Sequence, residues 1–224
     1  MKQTSKLFSL LSVISVFILM PYFAYAFGTG DSVGVVTVKN RQVWVVRDGE
    51  KLSINNFGLK VKLNDIVKTD AGGQAQIALH NGNNLFIASK TEIWLTENVV
   101  GKKKEGITQI IKLLYGKIRA KVQQTRKQRF VVKTTTATIG VKGTDFITEF
   151  VDEQTRVGTL EGLVNLLSDK TRESVDIPPG SMGSVSIAGE LMPLEEFAGE
   201  LMEGVEFAGK KMEADDIAGE KIEL

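Results

Sequence analysis

Between residues 33 and 186 the sequence predicts an all-β domain, and three observations predict it. Apolar residues recur with period two, turn residues interrupt them every eight to twelve positions, and no ten-residue window before Ser186 carries a capped apolar stripe at helical spacing. Evenly spaced short strands suit a sandwich, a barrel or a solenoid-like roll, and spacing alone does not choose among them. With 224 residues, 42% hydrophobic and 25% charged, the chain can bury one ordinary core and keep a segment at each end.

Residues 1–26 read as an address. Lys2 and Lys6 form a positive start, residues 7–20 are almost wholly apolar, and Ala24-Tyr25-Ala26 offers the small residues that signal peptidase reads. Cleavage is expected after Ala26, leaving no stable membrane span; an uncleaved N-terminal anchor is the other reading of the same run. Both place the bulk of the chain in the periplasm or outside the cell. Net charge is +1, and losing Lys2 and Lys6 leaves 26 basic against 27 acidic residues, or −1, which argues against a nucleic-acid partner. With no cysteine there is no lipid-attachment site, disulfide framework or thiol chemistry.

Residues 27–187 hold the β domain. Val33 and Val35 open it, and Val43-Trp44-Val45-Val46 followed by Asp48-Gly49 is a hairpin signal, because Asp-Gly tolerates the positive φ of a tight turn. Further turns are expected at Asn55-Asn56, Ala71-Gly72-Gly73 and Asn81-Gly82, with apolar strands between them. Trp44 and Trp94 are candidates for an exposed aromatic pair, although each sits in an apolar run that reads as core.

Residues 102–133 hold eleven Lys or Arg and one acid, Glu105. Within them Lys117-Ile118-Arg119-Ala120-Lys121-Val122 alternates strictly, placing three cations on one face of a strand and three apolar side chains on the other. Lys117, Arg119 and Lys121 are thus a candidate anion-binding stripe, or else a solvated face whose lysines discourage edge pairing. Aromatic residues are not interleaved there, as single-stranded nucleic acid would require.

Residues 130–150 read strand, tight bend, strand, with Gly140 and Gly143 three positions apart at the bend. Lys142 and Thr144 are candidates to hold an anion there; the structural alternative has Thr144 satisfying backbone groups and Phe146 packing the core. Past Pro178-Pro179-Gly180, residues 188–224 form a weakly structured acidic tail with a decamer repeat that starts at Ile187-Ala188-Gly189 and returns at Phe197, Phe207 and Ile217. Ten residues of α-helix rotate by about 1000°, so successive anchors would slip by about 80° and one continuous amphipathic helix is not expected. Residues 187–224 carry eleven acids against three lysines, the composition of an interaction tail, and they could fold back on the basic stripe, bind a partner or merely keep the protein soluble.

Val132, Thr134, Ala137, Gly140-Val141-Lys142-Gly143-Thr144 and Phe146 together resemble the signature of the FecR domain, a periplasmic module first associated with iron-dicitrate sensing. Gly34-Val35-Val36-Thr37-Val38, Asp65-Ile66-Val67-Lys68-Thr69 and Asn81-Gly82-Asn83-Asn84-Leu85 upstream and Val157-Gly158-Thr159-Leu160-Glu161-Gly162-Leu163-Val164 downstream resemble its other strands and turns, so the likeness is read over residues 31–187. Thr135 stands where the family tends to have proline, and Lys142 where it has arginine, whose bidentate contacts lysine does not make. The resemblance implies a β-solenoid-like or twisted β-sandwich fold and a protein-binding role. Full-length FecR regulators carry a cytoplasmic anti-sigma segment ahead of a membrane span; six residues precede the apolar run here, so direct sigma-factor control is not expected.

No enzyme signature is present. His80, the one histidine, sits beside a turn, and without cysteine a zinc site of ordinary composition cannot be built. Asp145 and Glu149 share a strand face about 13 Å apart, too far for a glycosidase pair, and Asp152-Glu153 reads as a turn. Gly140-Val141-Lys142-Gly143-Thr144 lacks the ending of a phosphate loop, and no cofactor is implied. Two functions stay open: a non-enzymatic module that binds an envelope protein in signalling or assembly, and a binding module for envelope polysaccharide or another anionic polymer.

Overall fold

The apolar alternations become strands in the computed structural model, which describes residues 32–40, 42–54, 58–100, 107–125 and 128–197, with Leu201 and Val205. The signal segment, the Asn55-Asn56 turn and most of the decamer repeats lie outside the described residues. The chain divides into Met1–Asp31, wholly outside them, and Ser32–Leu224. In chain order the strands are β1 (Ser32–Asn40), β2 (Val43–Arg47), β3 (Glu50–Ser53), β4 (Leu59–Lys62), β5 (Ile66–Thr69), β6 (Gln74–Leu79), β7 (Asn84–Ile87) and β8 (Thr91–Val100). There follow β9 (Ile107–Lys121), β10 (Gln128–Lys133), β11 (Ala137–Val141), β12 (Asp145–Val151), β13 (Gln154–Glu161), β14 (Val164–Ser168), β15 (Ser174–Ile177), β16 (Ser181–Val185) and β17 (Glu195–Glu196). No α-helix occurs among the described residues, and none is long and apolar enough to cross a membrane.

The strands make two layers that share one member. Sheet A runs β4-β1-β6-β7-β9-β12-β13-β16-β17, every neighbour antiparallel. Sheet B runs β3-β2-β5-β8-β9-β10-β11-β14-β15, antiparallel except for β9 with β10. Together they form a 17-stranded network whose ends do not meet, so the barrel is excluded. From β10 on, hairpins fall alternately in sheet B and sheet A, which is the solenoid-like winding of a twisted sandwich.

The shared strand needs one glycine. Ile111 and Leu113 of β9 face the core in sheet B, then the phase slips by one and Ile118 and Ala120 face it in sheet A. The slip leaves Leu114 38% and Tyr115 48% exposed and falls at Gly116, whose φ is 95°. A Cβ there would stand 2.6 Å from the Lys90 carbonyl oxygen and 2.7 Å from Thr91 Cα, so no other residue fits without moving backbone.

Between the layers lies one apolar core. Val36, Ile77, Leu85, Ile118 and Phe146 of sheet A meet Val45, Ile93, Ile111, Phe130 and Ile139 of sheet B. Phe130 and Phe146 contact edge to face, with ring centroids 6.4 Å apart. The rim is closed by polar pairs. The hydroxyls of Thr134 and Thr136 each lie 2.7 Å from that of Thr155, joining the β10–β11 turn to sheet A. Asp65, fully buried, accepts from Arg47 Nε at 2.8 Å and from the Lys62 backbone N–H at 2.8 Å. That hydrogen bond raises the Arg47 pKa further above its ordinary value.

Turns fall where the sequence places them, with Gly72 and Gly82 at φ of 80° and 83°. Asp48 and Gly49 have φ of 51° and 84°, and Asp152 and Glu153 have 50° and 58°, the left-handed pair that a two-residue hairpin demands.

Candidate functional site

The two outer faces differ in what covers them. On sheet A, cross-strand partners form a row Phe86–Arg119–Ile147–Gly158–Met182–Glu195, flanked by a row Lys117–Glu149–Arg156–Ser184. The strict alternation of β9 therefore does what its sequence predicts: Ile118, Ala120 and Val122 enter the core, and Lys117, Arg119 and Lys121 face outward. Two of those cations meet carboxylates. Arg119 donates from Nε and a terminal nitrogen to both oxygens of Asp145, each at 2.8 Å, and Lys117 Nζ lies 3.3 Å from Glu149, which Arg156 also binds. Lys121 is exposed.

Over the same face lies the start of the tail. Ala88, Ile147 and Met182 form a second apolar cluster with Leu201 and Val205, both 1% exposed, and Leu160 and Phe197 pack against it. The Phe197 ring rests on the Gly158 backbone, where a Cβ would overlap its Cε2 and Cδ2 atoms. The Phe197 N–H donates to the Gly180 carbonyl at 2.9 Å, and Glu195–Glu196 extends sheet A as β17. These tail residues pack on Ala88, Ile147 and Met182, beside the basic stripe rather than on it, since Ile147 is the cross-strand neighbour of Arg119.

Sheet B presents the contrasting face. Its outward rows read Ser53–Trp44–Lys68–Glu92–Tyr115 and Lys51–Val46–Ile66–Trp94–Lys112–Lys133–Thr138. Trp44 and Trp94 are thus not core residues, correcting the reading of their apolar runs: Val43, Val45, Ile93 and Leu95 take the inward positions, and both indoles stand half-buried outside. Lys51 Nζ lies 3.9 Å from the Trp44 ring centroid and Lys112 Nζ 4.8 Å from that of Trp94. Lys68 pairs with Glu92 at 2.8 Å between the two rings. By register, Lys112 and Lys133 have each other, an indole and a threonine as cross-strand neighbours, with no carboxylate.

The remaining singled-out residues are at the bend and in the core. Val132, Ala137, Val141 and Phe146 are buried, and Thr134 binds Ala137 and Thr155. Gly143, at φ 68°, carries the bend from β11 to β12: a Cβ would meet Gln124 Cβ at 2.6 Å. Gly140 lies within β11, and a Cβ there meets nothing within 4 Å, so the bend rests on one glycine rather than two. Lys142 is exposed, whereas Thr144 is 2% exposed and its hydroxyl has no hydrogen-bond partner among the described residues; its carbonyl accepts from Val122 at 2.8 Å. The Thr144 hydroxyl thus does not satisfy backbone groups, and Lys142 is exposed where Thr144 is buried. His80 is exposed, its Nε2 3.2 Å from the Ser32 hydroxyl. Among the described residues no group of acids and histidine is placed to hold a metal.

The family described as FecR protein matches residues 65–165, which run from the buried Asp65 through β5 to β14, a narrower span than residues 31–187. No curated protein matches the chain. Two crystal structures of a "putative anti-sigma factor" from Parabacteroides distasonis ATCC 8503 are similar to it, at 17% and 18% identity, each with a TM-score of 0.48 and covering 58% of this chain. The chain spans 59% of the length of those solved chains. Residues 65–165 of this protein are a FecR domain.

Proposed function

We propose that this chain is a non-enzymatic, periplasmic or secreted module that acts by binding an envelope protein, in signalling or assembly, through the outer face of sheet B. The observation that carries this reading is the placement of Trp44 and Trp94. Two indoles with lysines over them, on a face that no described element covers, form the aromatic and cationic surface from which interface anchors are drawn. Lys51, Lys112 and Lys133 surround them with Glu92 as the acid between, so the matching partner surface is acidic with apolar side chains to meet the rings.

The test is capture from envelope extract with the full chain, at low and high salt, beside a Trp44→Ala/Trp94→Ala variant. A discrete protein retained at high salt by the unsubstituted chain and lost by the variant is the expected result. Polysaccharide retained only at low salt would replace the protein partner by an anionic polymer, because counterion release makes such contacts salt-dependent. Equal capture by both chains would overturn the assignment to this face.

A further inference from the structure

The covered face of sheet A carries an inference that does not rest on the reading of sheet B. We propose that this face is a peptide-docking surface, occupied in cis by Phe197, Leu201 and Val205, that accepts in trans an acidic segment of a partner protein. That segment has an aromatic residue followed by aliphatic residues four and eight positions on.

The face is built as a receptor. Gly158 sits inside β13, where glycine weakens a strand and marks the close approach of another group. That group is the Phe197 ring, lying where any side chain at 158 would stand. Ile147 and Met182 flank the slot on either side of Gly158 in the same cross-strand row, and Ala88 completes the floor. Methionine, unbranched and polarizable, adapts to different partners. Beside the slot lie Lys117, Arg119, Lys121 and Arg156 against Asp145, Glu149 and Glu161, a surplus of one positive charge. The described part of the tail brings Glu195 and Glu196 to the same sheet, next to Phe197 in sequence.

The decamer repeats show which features of the occupant matter. Aromatic, leucine and valine at four-residue spacing occur together only in the second repeat, as Phe197, Leu201 and Val205. The equivalent positions are Ile187, Leu191 and Glu195 in the first repeat, and Phe207, Lys211 and Asp215 in the third. Ile187 is 58% exposed, so the first repeat does not use its aromatic-equivalent position to dock. What sets the docked repeat apart in sequence is therefore these three side chains, not the Ala-Gly motif common to all repeats. A second copy is not the occupant, because its own segment is held on its own sheet by β17 and by the Phe197 and Met192 backbone bonds to Gly180 and Ser184. A foreign segment has only to outcompete a tethered one, whose effective concentration is on the order of millimolar.

The test uses the full chain carrying Phe197→Ala and Leu201→Asp, which empties the face, with a fluorescein-labelled peptide of residues 194–206. Anisotropy should show at least tenfold tighter binding to the emptied chain than to the unsubstituted one, and a peptide of residues 204–216, with Lys211 and Asp215 at two anchor positions, should bind neither. As a check independent of that variant's folding, millimolar 194–206 peptide should shift the Met182 methyl resonance of the unsubstituted chain. Failure of both measurements would overturn the proposal. Equal binding of the two peptides would overturn the role of the three side chains, and a dimer of the unsubstituted chain dissociated by the 194–206 peptide would replace the foreign segment by a second copy.

Discussion

Arg119 and Asp145 are not direct cross-strand partners, yet they form the bidentate pair on sheet A. By register Asp145 faces Lys121, and the guanidinium of Arg119 reaches diagonally to both of its oxygens at 2.8 Å. The planar fork fits a carboxylate in two parallel bonds, which an ammonium cannot do. Asp145 is 3% exposed, so it depends on this partner. Arg119→Met should cost about 3 kcal/mol, read from urea unfolding, because it strands a buried carboxylate. Adding Asp145→Asn should recover part of that loss, and additive losses would show that the pair is not coupled.

Gly143 and Lys142 are adjacent in sequence and opposite in consequence. Gly143→Val places a branched side chain at positive φ against Gln124 and should lower stability by more than about 3 kcal/mol. Lys142→Ala, at an exposed position, should stay within about 0.5 kcal/mol. Thermal melting separates the two, and the reverse order would refute the assignment of the bend.

Asp152 and Glu153 hold left-handed backbone without glycine. Glu153→Gly removes the steric cost at that φ, partly offset by the freedom glycine gains when unfolded, and should stabilise the hairpin by about 0.5 kcal/mol in chemical denaturation. A destabilised variant would mean that the Glu153 side chain contributes more than its backbone strain costs.

Trp44→Ala and Trp94→Ala should each lower stability by about 1 kcal/mol, the scale of an exposed cation–π contact with some packing. Losses of 3 kcal/mol or more, the scale of a core aromatic, would place these rings in the hydrophobic interior.

The strands and turns were legible because alternation and Asp-Gly are local. The side each strand shows to the core was legible where polar and apolar residues alternate, as at Lys117 to Val122, and not where an apolar run is unbroken. Val43-Trp44-Val45-Val46 has no polar position to set its phase, so the burial of valine and exposure of indole are decided by pairing with β5. The slip in β9 left a trace in the sequence, two apolar residues followed by Gly116, that the charge pattern beside it obscured. Cross-strand carboxylates for Lys117 and Arg119 come from β12, some thirty residues away, and local spacing carries no sign of them. In the tail, the ten-residue period common to all repeats overlies the four-residue spacing, found in one repeat, that packs it on sheet A.

A strand common to both layers also sets the order in which the layers can be finished. Before β9 is available, sheet A has β4, β1, β6 and β7 and sheet B has β3, β2, β5 and β8, each set ending in an edge that only β9 can satisfy. The later strands join through β9 as well, by β12 in one layer and β10 in the other. A chain delivered N-terminus first therefore carries two unfinished edges until Lys121 has emerged, and both are then satisfied by a single segment. Until that moment those edges are of the kind that pairs with another chain.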